Sequence, residues 1–210
     1  MNKLLTPTFA EERVLEAQGY RYIAGVDEVG RGALAGPVVA AAVILPHRVK
    51  ATWFRQVRDS KMLTPAVRER LFPQICEMAI AVGTGSASRE EIDTMGIARA
   101  TRRAMKLAIE QLSPPPETLL IDYISLPEVK LPQKGVTNGD SLCFSIACAS
   151  IVAKVTRDRL MVELDRAYPG YGLARHKGYG TREHITCLGQ LGPSSVHRRS
   201  FRPVRDVIRP

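Results

Sequence analysis

Tyr22-Ile23-Ala24-Gly25-Val26-Asp27-Glu28-Val29-Gly30-Arg31-Gly32 is an apolar run that ends in two adjacent acids and a glycine-flanked arginine. An apolar strand buries its residues, and a buried carboxylate is costly unless something positive compensates it. A divalent cation is a natural partner. The neighbouring glycines let backbone N–H groups approach a ligand closely. Acids that bind metal, beside an open backbone and an arginine, point to chemistry on a phosphate. Successive strand residues face opposite ways, so Asp27 and Glu28 cannot both address one metal from a regular strand. A bulge or the strand's end has to intervene.

Outward from this stretch the chain alternates strands and helices. Strands are predicted at 21–29, 37–45 and 79–87. Thr8-Phe9-Ala10-Glu11 has the form of a capping box and opens a helix that ends near Gly19. Thr64-Pro65 marks an N-cap and first helical residue for a helix over 65–78. Ser88-Arg89-Glu90-Glu91 opens another, running to about 112 with an apolar stripe. Ser113-Pro114-Pro115-Pro116 ends it. Thr118-Leu119-Leu120-Ile121-Asp122 reads as a buried strand ending in an acid. A loop then carries Asn138-Gly139-Asp140, and a long helix follows from Ser141 to about Tyr168. Thr181 caps one more helix, to about Leu188. The basic tail from Ser194 is expected to be loosely packed. Strands first and alternating helices afterwards predict an α/β fold, a mixed sheet flanked by helices.

Four acids lie beside strand ends or glycines: Asp27, Glu28, Asp122 and Asp140. If the strands bearing Asp27 and Asp122 are neighbours, their carboxylates converge, and Asp140 could aim at the same point. Oxygen ligands of this kind suit Mg²⁺ or Mn²⁺. Three or four carboxylates can hold two metals about 4 Å apart, the arrangement used for in-line displacement at phosphorus. The rival reading is that a strand-end Asp is a turn former or helix cap. For Asp140, capping the helix that follows is a direct competitor.

Thirty Lys and Arg against 21 Asp and Glu give a net charge of +9. That balance favours a polyanionic partner. The longest clean apolar run, 38–45, is far below the ~20 residues a spanning helix needs. The N-terminus breaks at Pro7 before a signal-peptide core forms. A cytoplasmic protein with no membrane partner is therefore expected. Cys76, Cys143, Cys148 and Cys187 show no C-x-x-C spacing, which argues against a zinc site or disulfide frame. No histidine is expected to bind metal.

Asp27-Glu28-Val29-Gly30-Arg31-Gly32, followed by Leu34-Ala35-Gly36-Pro37, resembles the ribonuclease HII family. Asp59-Ser60-Lys61-Met62-Leu63, Glu91-Ile92-Asp93, and the run from Ala153 to Arg159 agree with it. So do His176-Lys177-Gly178-Tyr179-Gly180-Thr181 and His197-Arg198-Arg199-Ser200-Phe201. The similarity covers roughly residues 20–203, in order.

The resemblance implies a ribonuclease-H-like core over residues 1–165. A helical, basic extension over 166–210 would complete the substrate site. It also implies catalytic, metal-binding acids at Asp27, Glu28, Asp122 and Asp140. Gly30, Arg31 and Gly32 become the turn whose backbone reads a 2′-OH, and Tyr179 the ring that stacks on substrate. From residue type and neighbours alone, Lys61 is a candidate phosphate contact and Tyr179, between two glycines, an exposed ring. The implied partners are RNA–DNA hybrid and ribonucleotide-containing duplex DNA, cut with Mg²⁺ or Mn²⁺ by a monomer. Three positions depart from the family's usual pattern: Tyr123 where Gly follows the third acid, Asn138 where Lys precedes Gly139, and Met62 for a Lys. Competing readings are another nuclease or recombinase of the ribonuclease H superfamily, the related type HIII enzyme, and a non-catalytic nucleic-acid-binding module.

Overall fold

The computed structural model describes residues 6–47 and 51–208. Strands β1 (Ile23–Val29), β2 (Val38–Ile44), β3 (Ala81–Ala87), β4 (Thr118–Asp122) and β5 (Gln133–Val136) form one mixed sheet, ordered β3-β2-β1-β4-β5. β1, β2 and β3 run antiparallel in sequence, while β4 and β5 lie parallel to β1. Val26 of β1 sits beside Ile121 of β4, so Asp27 and Asp122 are the next residues on neighbouring strands.

Strand alternation assigns the two faces. Ala24, Val26, Ala40, Ala42, Leu119 and Ile121 belong to a core that includes Ala104, Met105 and Ala108 of helix α4 (Ile97–Glu110). Ala41 and Val43 belong to a core on the opposite face, with Ala147, Cys148 and Ile151 of helix α6 (Phe144–Ala167). Leu120 packs with Ile146 of the same helix. Close approach is achieved by removing side chains. A Cβ on Gly25 would lie 2.2 Å from the Ser145 carbonyl carbon, and one on Gly85 would lie 2.3 Å from the Ala104 carbonyl oxygen. Asp27 therefore shares the α6 face with Gly25, whereas Glu28 has the opposite parity.

Helix α2 (Pro65–Met78) matches its sequence signals, with Thr64 Oγ1 accepting from Val67 N at 3.4 Å. Four expectations need correction. The helix predicted from Ser88 to about 112 is two: α3 (Arg89–Met95), with its capping box formed, and α4, separated by Gly96 at φ +81°. The Thr8 capping box does not form. Glu11 reaches across to Lys134 (2.6 Å), and Thr8 instead bridges backbone to Leu142 and Phe144 ahead of helix α1 (Ala10–Ala17). The long helix from Ser141 is a single turn, α5 (Gly139–Leu142), and then α6, interrupted where Cys143 is extended. At the start of α6, the buried Glu12 of α1 accepts from Ser145 N (2.8 Å) and Oγ (2.7 Å), a carboxylate placed where the helix dipole favours one.

The fourth correction concerns the tail. His197 and Arg198 are fully buried, and the segment ends in helix α9 (Arg202–Ile208), whose Val204 is buried with Leu34 and Leu188. Short helix α7 (Leu173–His176) and helix α8 (Arg182–Leu191) complete this helical C-terminal extension. No helix among the described residues is long and apolar enough to cross a membrane.

Candidate active site

The sheet brings three acids to one point. Carboxylate oxygens of Asp27, Asp122 and Asp140 all lie within 4.8 Å of one another. Asp27 and Asp122 arrive from the ends of adjacent parallel strands. Asp140 arrives from the first turn of α5, and it is Asn138, not Asp140, that occupies the N-cap. Asp122 Oδ1 accepts from Gly139 N at 2.7 Å, which ties the two segments together. A Cβ at Gly139 would meet Ile146 Cδ1 at 2.6 Å and that Asp122 oxygen at 3.3 Å, so glycine is required for this contact.

Glu28 stands apart from the trio. Its Oε1 accepts from Arg31 Nη1 at 3.3 Å, while Oε2 is buried without a hydrogen-bond partner among the described residues. The separation follows from a regular β1 with no bulge between Asp27 and Glu28, which pair with Ala41 and Ala40 in turn.

Electrostatics mark the cluster as short of positive charge. Burial pushes the Asp27 carboxyl well above its ordinary range, and repulsion from Glu28 and Asp122 adds to this. Burial also raises Asp122, with Asp140 adding repulsion. Glu28 is raised mainly by burial, with Arg31 partly offsetting it. Lys61 supplies one cation: its Nζ reaches Asp140 Oδ2 at 3.3 Å. Crowded, partly neutralised hard oxygens plus one orphaned buried oxygen are a donor set that fits Mg²⁺ or Mn²⁺.

Two groups here were not assigned from sequence. Asp59 accepts from Lys61 N (2.9 Å), and its carboxyl is raised by burial and by Asp140. Ser150 of α6 lies beside Asp27, where its hydroxyl favours the ionised carboxyl and partly offsets the rise, and it pairs with Ser60 Oγ at 2.8 Å. Asp59 and Ser60 sit in the same block as Lys61 and could have been read with it. Ser150 gave no signal, because a serine in a Ser/Ala-rich helix reads as packing.

Gly30-Arg31-Gly32 forms a turn closed by Ala33 N donating to Gly30 O at 3.3 Å. Gly30 has φ +92°, and a Cβ there would lie 2.1 Å from Arg157 Nε. A Cβ on Gly32 would meet nothing within 4 Å. Tyr179 lies next to this turn through an antiparallel bridge to Ala33, and Leu34 N donates to Gly178 O at 2.7 Å. Its ring is half-buried, not exposed as expected, with the Arg157 guanidinium 5.6 Å and Lys154 Nζ 6.0 Å from its centroid.

Behind Tyr179 three histidines form a chain. His197 Nδ1 accepts from Ser194 N at 3.0 Å, which leaves its proton on Nε2 to donate to His184 Nε2 at 3.1 Å. His184 Nδ1–H then donates to Tyr179 O at 2.9 Å. His176 Nδ1 accepts from Gly178 N (3.2 Å), and its Nε2–H donates to Tyr171 O (2.8 Å). Every ring is thus neutral, with a defined tautomer. Burial lowers His184 and drops His197 to about 4; repulsion from His176 adds to the first shift and repulsion from His184 to the second.

Comparison with known proteins agrees with this geometry. The sequence profile described as Ribonuclease HII matches residues 24–204. A ribonuclease HII of Dehalococcoides mccartyi (strain BAV1) is 58% identical over 98% of this chain and 97% of its own. One of Geobacillus kaustophilus is 56% identical over 94% of this chain and 75% of its own. Among solved structures, the ribonuclease H2 of Pyrococcus horikoshii superposes with a TM-score of 0.72 at 24% identity, over 88% of this chain and 96% of that one. A ribonuclease HIII (Bst) in complex with Mn²⁺ superposes at 0.71 and 19%, over 90% and 69%. The fold is therefore ribonuclease-H-like, and the chain belongs to the ribonuclease HII family of metal-dependent ribonucleases, which hydrolyse the RNA of RNA–DNA hybrids.

Proposed function

We propose that the protein is an endonuclease that cuts the RNA strand of RNA–DNA hybrids and also cuts 5′ of single ribonucleotides embedded in duplex DNA. The products would carry 3′-OH and 5′-phosphate ends. The observation that carries this reading is the meeting of Asp27, Asp122 and Asp140 beside an open glycine turn. Asp27, Glu28, Asp122 and Asp140 would hold two Mg²⁺ or Mn²⁺ ions. When bound, these would supply an activated water and charge stabilisation at the leaving 3′-oxygen. Asp27 and Asp122, on adjacent strands of one rigid sheet, keep their spacing without loop motion. Arg31 releases Glu28 from its ion pair and becomes available to fork onto a phosphate. Lys61 likewise exchanges Asp140 for the substrate backbone.

The Gly30-Arg31-Gly32 turn would read the 2′-OH, which can both donate and accept a hydrogen bond. Tyr179, held against Arg157, would stack on the sugar or base beside it. We place the protein in the cytoplasm as a monomer acting on duplex, with residues 166–210 completing the substrate site of the core formed by 1–165. The +9 charge would meet the phosphates.

The test is a DNA duplex with one ribonucleotide, offered with Mg²⁺ or Mn²⁺ beside an all-DNA control. Cutting only the first, 5′ of the ribonucleotide, is the expected result. Equal cutting of both would favour a different nuclease of the superfamily, and binding without any cutting would favour a non-catalytic module. Asp27→Asn is expected to lower kcat by about a thousandfold or more while leaving duplex binding intact. Tyr179→Ala should slow turnover on the single-ribonucleotide duplex.

A further inference from the structure

Arg198 lies in the segment that the sequence suggested was loose, yet it is fully buried and spends its guanidinium on backbone carbonyls. Its Nη1 donates to Arg31 O (2.9 Å) and its Nε to Gly36 O (3.0 Å), while its own N–H donates to Leu34 O (2.8 Å). Arg157 of α6, also fully buried, takes the alternating carbonyls: Ala35 O (3.1 Å), Pro37 O (2.9 Å) and, across the gap, Lys177 O (2.9 Å). Two guanidinium groups therefore hold the carbonyls of Arg31, Ala35, Gly36 and Pro37 and tie them to the segment that carries Tyr179.

A trans peptide is planar, so its C=O and the following N–H point in opposite directions. Arg198 draws the Arg31 carbonyl inward and so turns the Gly32 N–H outward. The Ala33 N–H draws the Gly30 carbonyl inward and turns the Arg31 N–H outward. Among the described residues neither N–H has a partner, and the space above Gly32 is open. Two unpartnered donors in a turn with no side chain over Gly32 are suited to an incoming oxygen.

We propose that Arg198 is a positioning residue for ribonucleotide selection, holding the Arg31 and Gly32 N–H groups toward the substrate's 2′-oxygen. This deepens the function proposed above and rests on it. Arg198 touches no reacting atom. It acts through the turn, from a part of the chain 167 residues beyond Arg31. Burial lowers its pKa to about 9, and the nearby Arg157 charge contributes. It is therefore the longer fork onto two carbonyls, more than charge alone, that a lysine would fail to reproduce.

The experiment compares wild type, Arg198→Lys, Gly32→Ala and the double variant on duplexes whose single test nucleotide carries 2′-OH, 2′-fluoro or 2′-deoxy. Arg198→Lys is expected to lower kcat/KM on the 2′-OH duplex about 10- to 100-fold, the loss of one charge-assisted hydrogen bond's orienting effect. The 2′-OH preference should shrink by a similar factor, and Mn²⁺ affinity, read by calorimetry, should be unchanged. Gly32→Ala meets no clash and should do the same, with the double variant no worse than the poorer single. A folded Arg198→Lys with unaltered 2′-OH preference, or losses that multiply in the double variant, would overturn the proposal. If Arg198→Lys does not fold, amide exchange in wild type decides. With EDTA present, the Gly32 N–H should be protected by the ribonucleotide duplex and not by the all-DNA one; equal protection overturns the inference. A wild type that ignores 2′-OH altogether would instead overturn the functional reading beneath it.

Discussion

At the scale of single residues, the site holds a bulky side chain in a conformation that few residues adopt. Tyr123, directly after Asp122, has φ +62°, and Ile124 N donates to Asp122 O at 2.7 Å, closing a three-residue turn around it. Such turns with positive φ are strained. The sequence hinted at this, because the family pattern that the chain resembles has glycine there, the residue for which positive φ costs least. Its ring is 70% exposed, so packing recovers little of the strain. Tyr123→Gly is expected to raise stability by about 1 kcal/mol, read as a higher urea midpoint at constant slope. A decrease would mean that the exposed ring stabilises the fold through contacts not seen here. Asp27 illustrates the same principle in charge. Burial and its neighbours raise its pKa, so at neutral pH its ionised form destabilises the metal-free protein. Asp27→Asn should therefore melt higher than wild type in EDTA, and adding Mn²⁺ should narrow or reverse the gap.

At the scale of elements, legibility followed local chemistry. The strand ending in Asp122 and the helix from Pro65 were readable to the residue, because an apolar run and an N-cap with proline are signals contained within a few positions. The break at Gly96 was not, since an isolated glycine in an apolar-striped helix reads as tolerated until its φ is known. β5 escaped for another reason: Gln133-Lys134-Gly135-Val136 has no apolar alternation and is a strand only because β4 offers it an edge. The convergence of Asp27 with Asp122 was conditional on the two strands being neighbours, which no local signal reports. The site depends on how tightly α6 seats on β1, and Gly25 sets that distance. Gly25→Ala would drive a methyl into the Ser145–Ile146 backbone. About 3 kcal/mol of destabilisation is expected, with kcat falling as Ser150 and Asp140 move away from Asp27. Retained stability would show that α6 can shift, and would break the link between seating and activity.

At the scale of the whole molecule, the C-terminal extension docks on the sheet through groups that must stay neutral or fully paired. His197 is the clearest case. Its Nδ1 accepts a backbone N–H and its Nε2–H donates to His184, so a second proton has no place without breaking one of these bonds. His176 stacks on His184 at 4.3 Å between ring centroids, which makes a nearby positive charge more costly still. Glu183, on the same helix, is engaged with Arg175. A histidine lowered to about 4 from an unfolded value near 6.5 binds its proton more readily when unfolded. Its contribution to stability is full above pH 6.5 and is lost progressively as pH falls toward 4. The raised acids at the metal site act in the opposite sense, since they become less repulsive as pH falls, so a single stability profile would blend the two. A difference measurement separates them. The acid cluster titrates alike in wild type and in His197→Gln, and cancels between them. The stability advantage of wild type over His197→Gln is expected to shrink by roughly 2 kcal/mol between pH 7 and pH 5, measured by urea unfolding. An advantage that stays constant over that range would show that His197 keeps an ordinary pKa, and that the extension docks without a titrating latch.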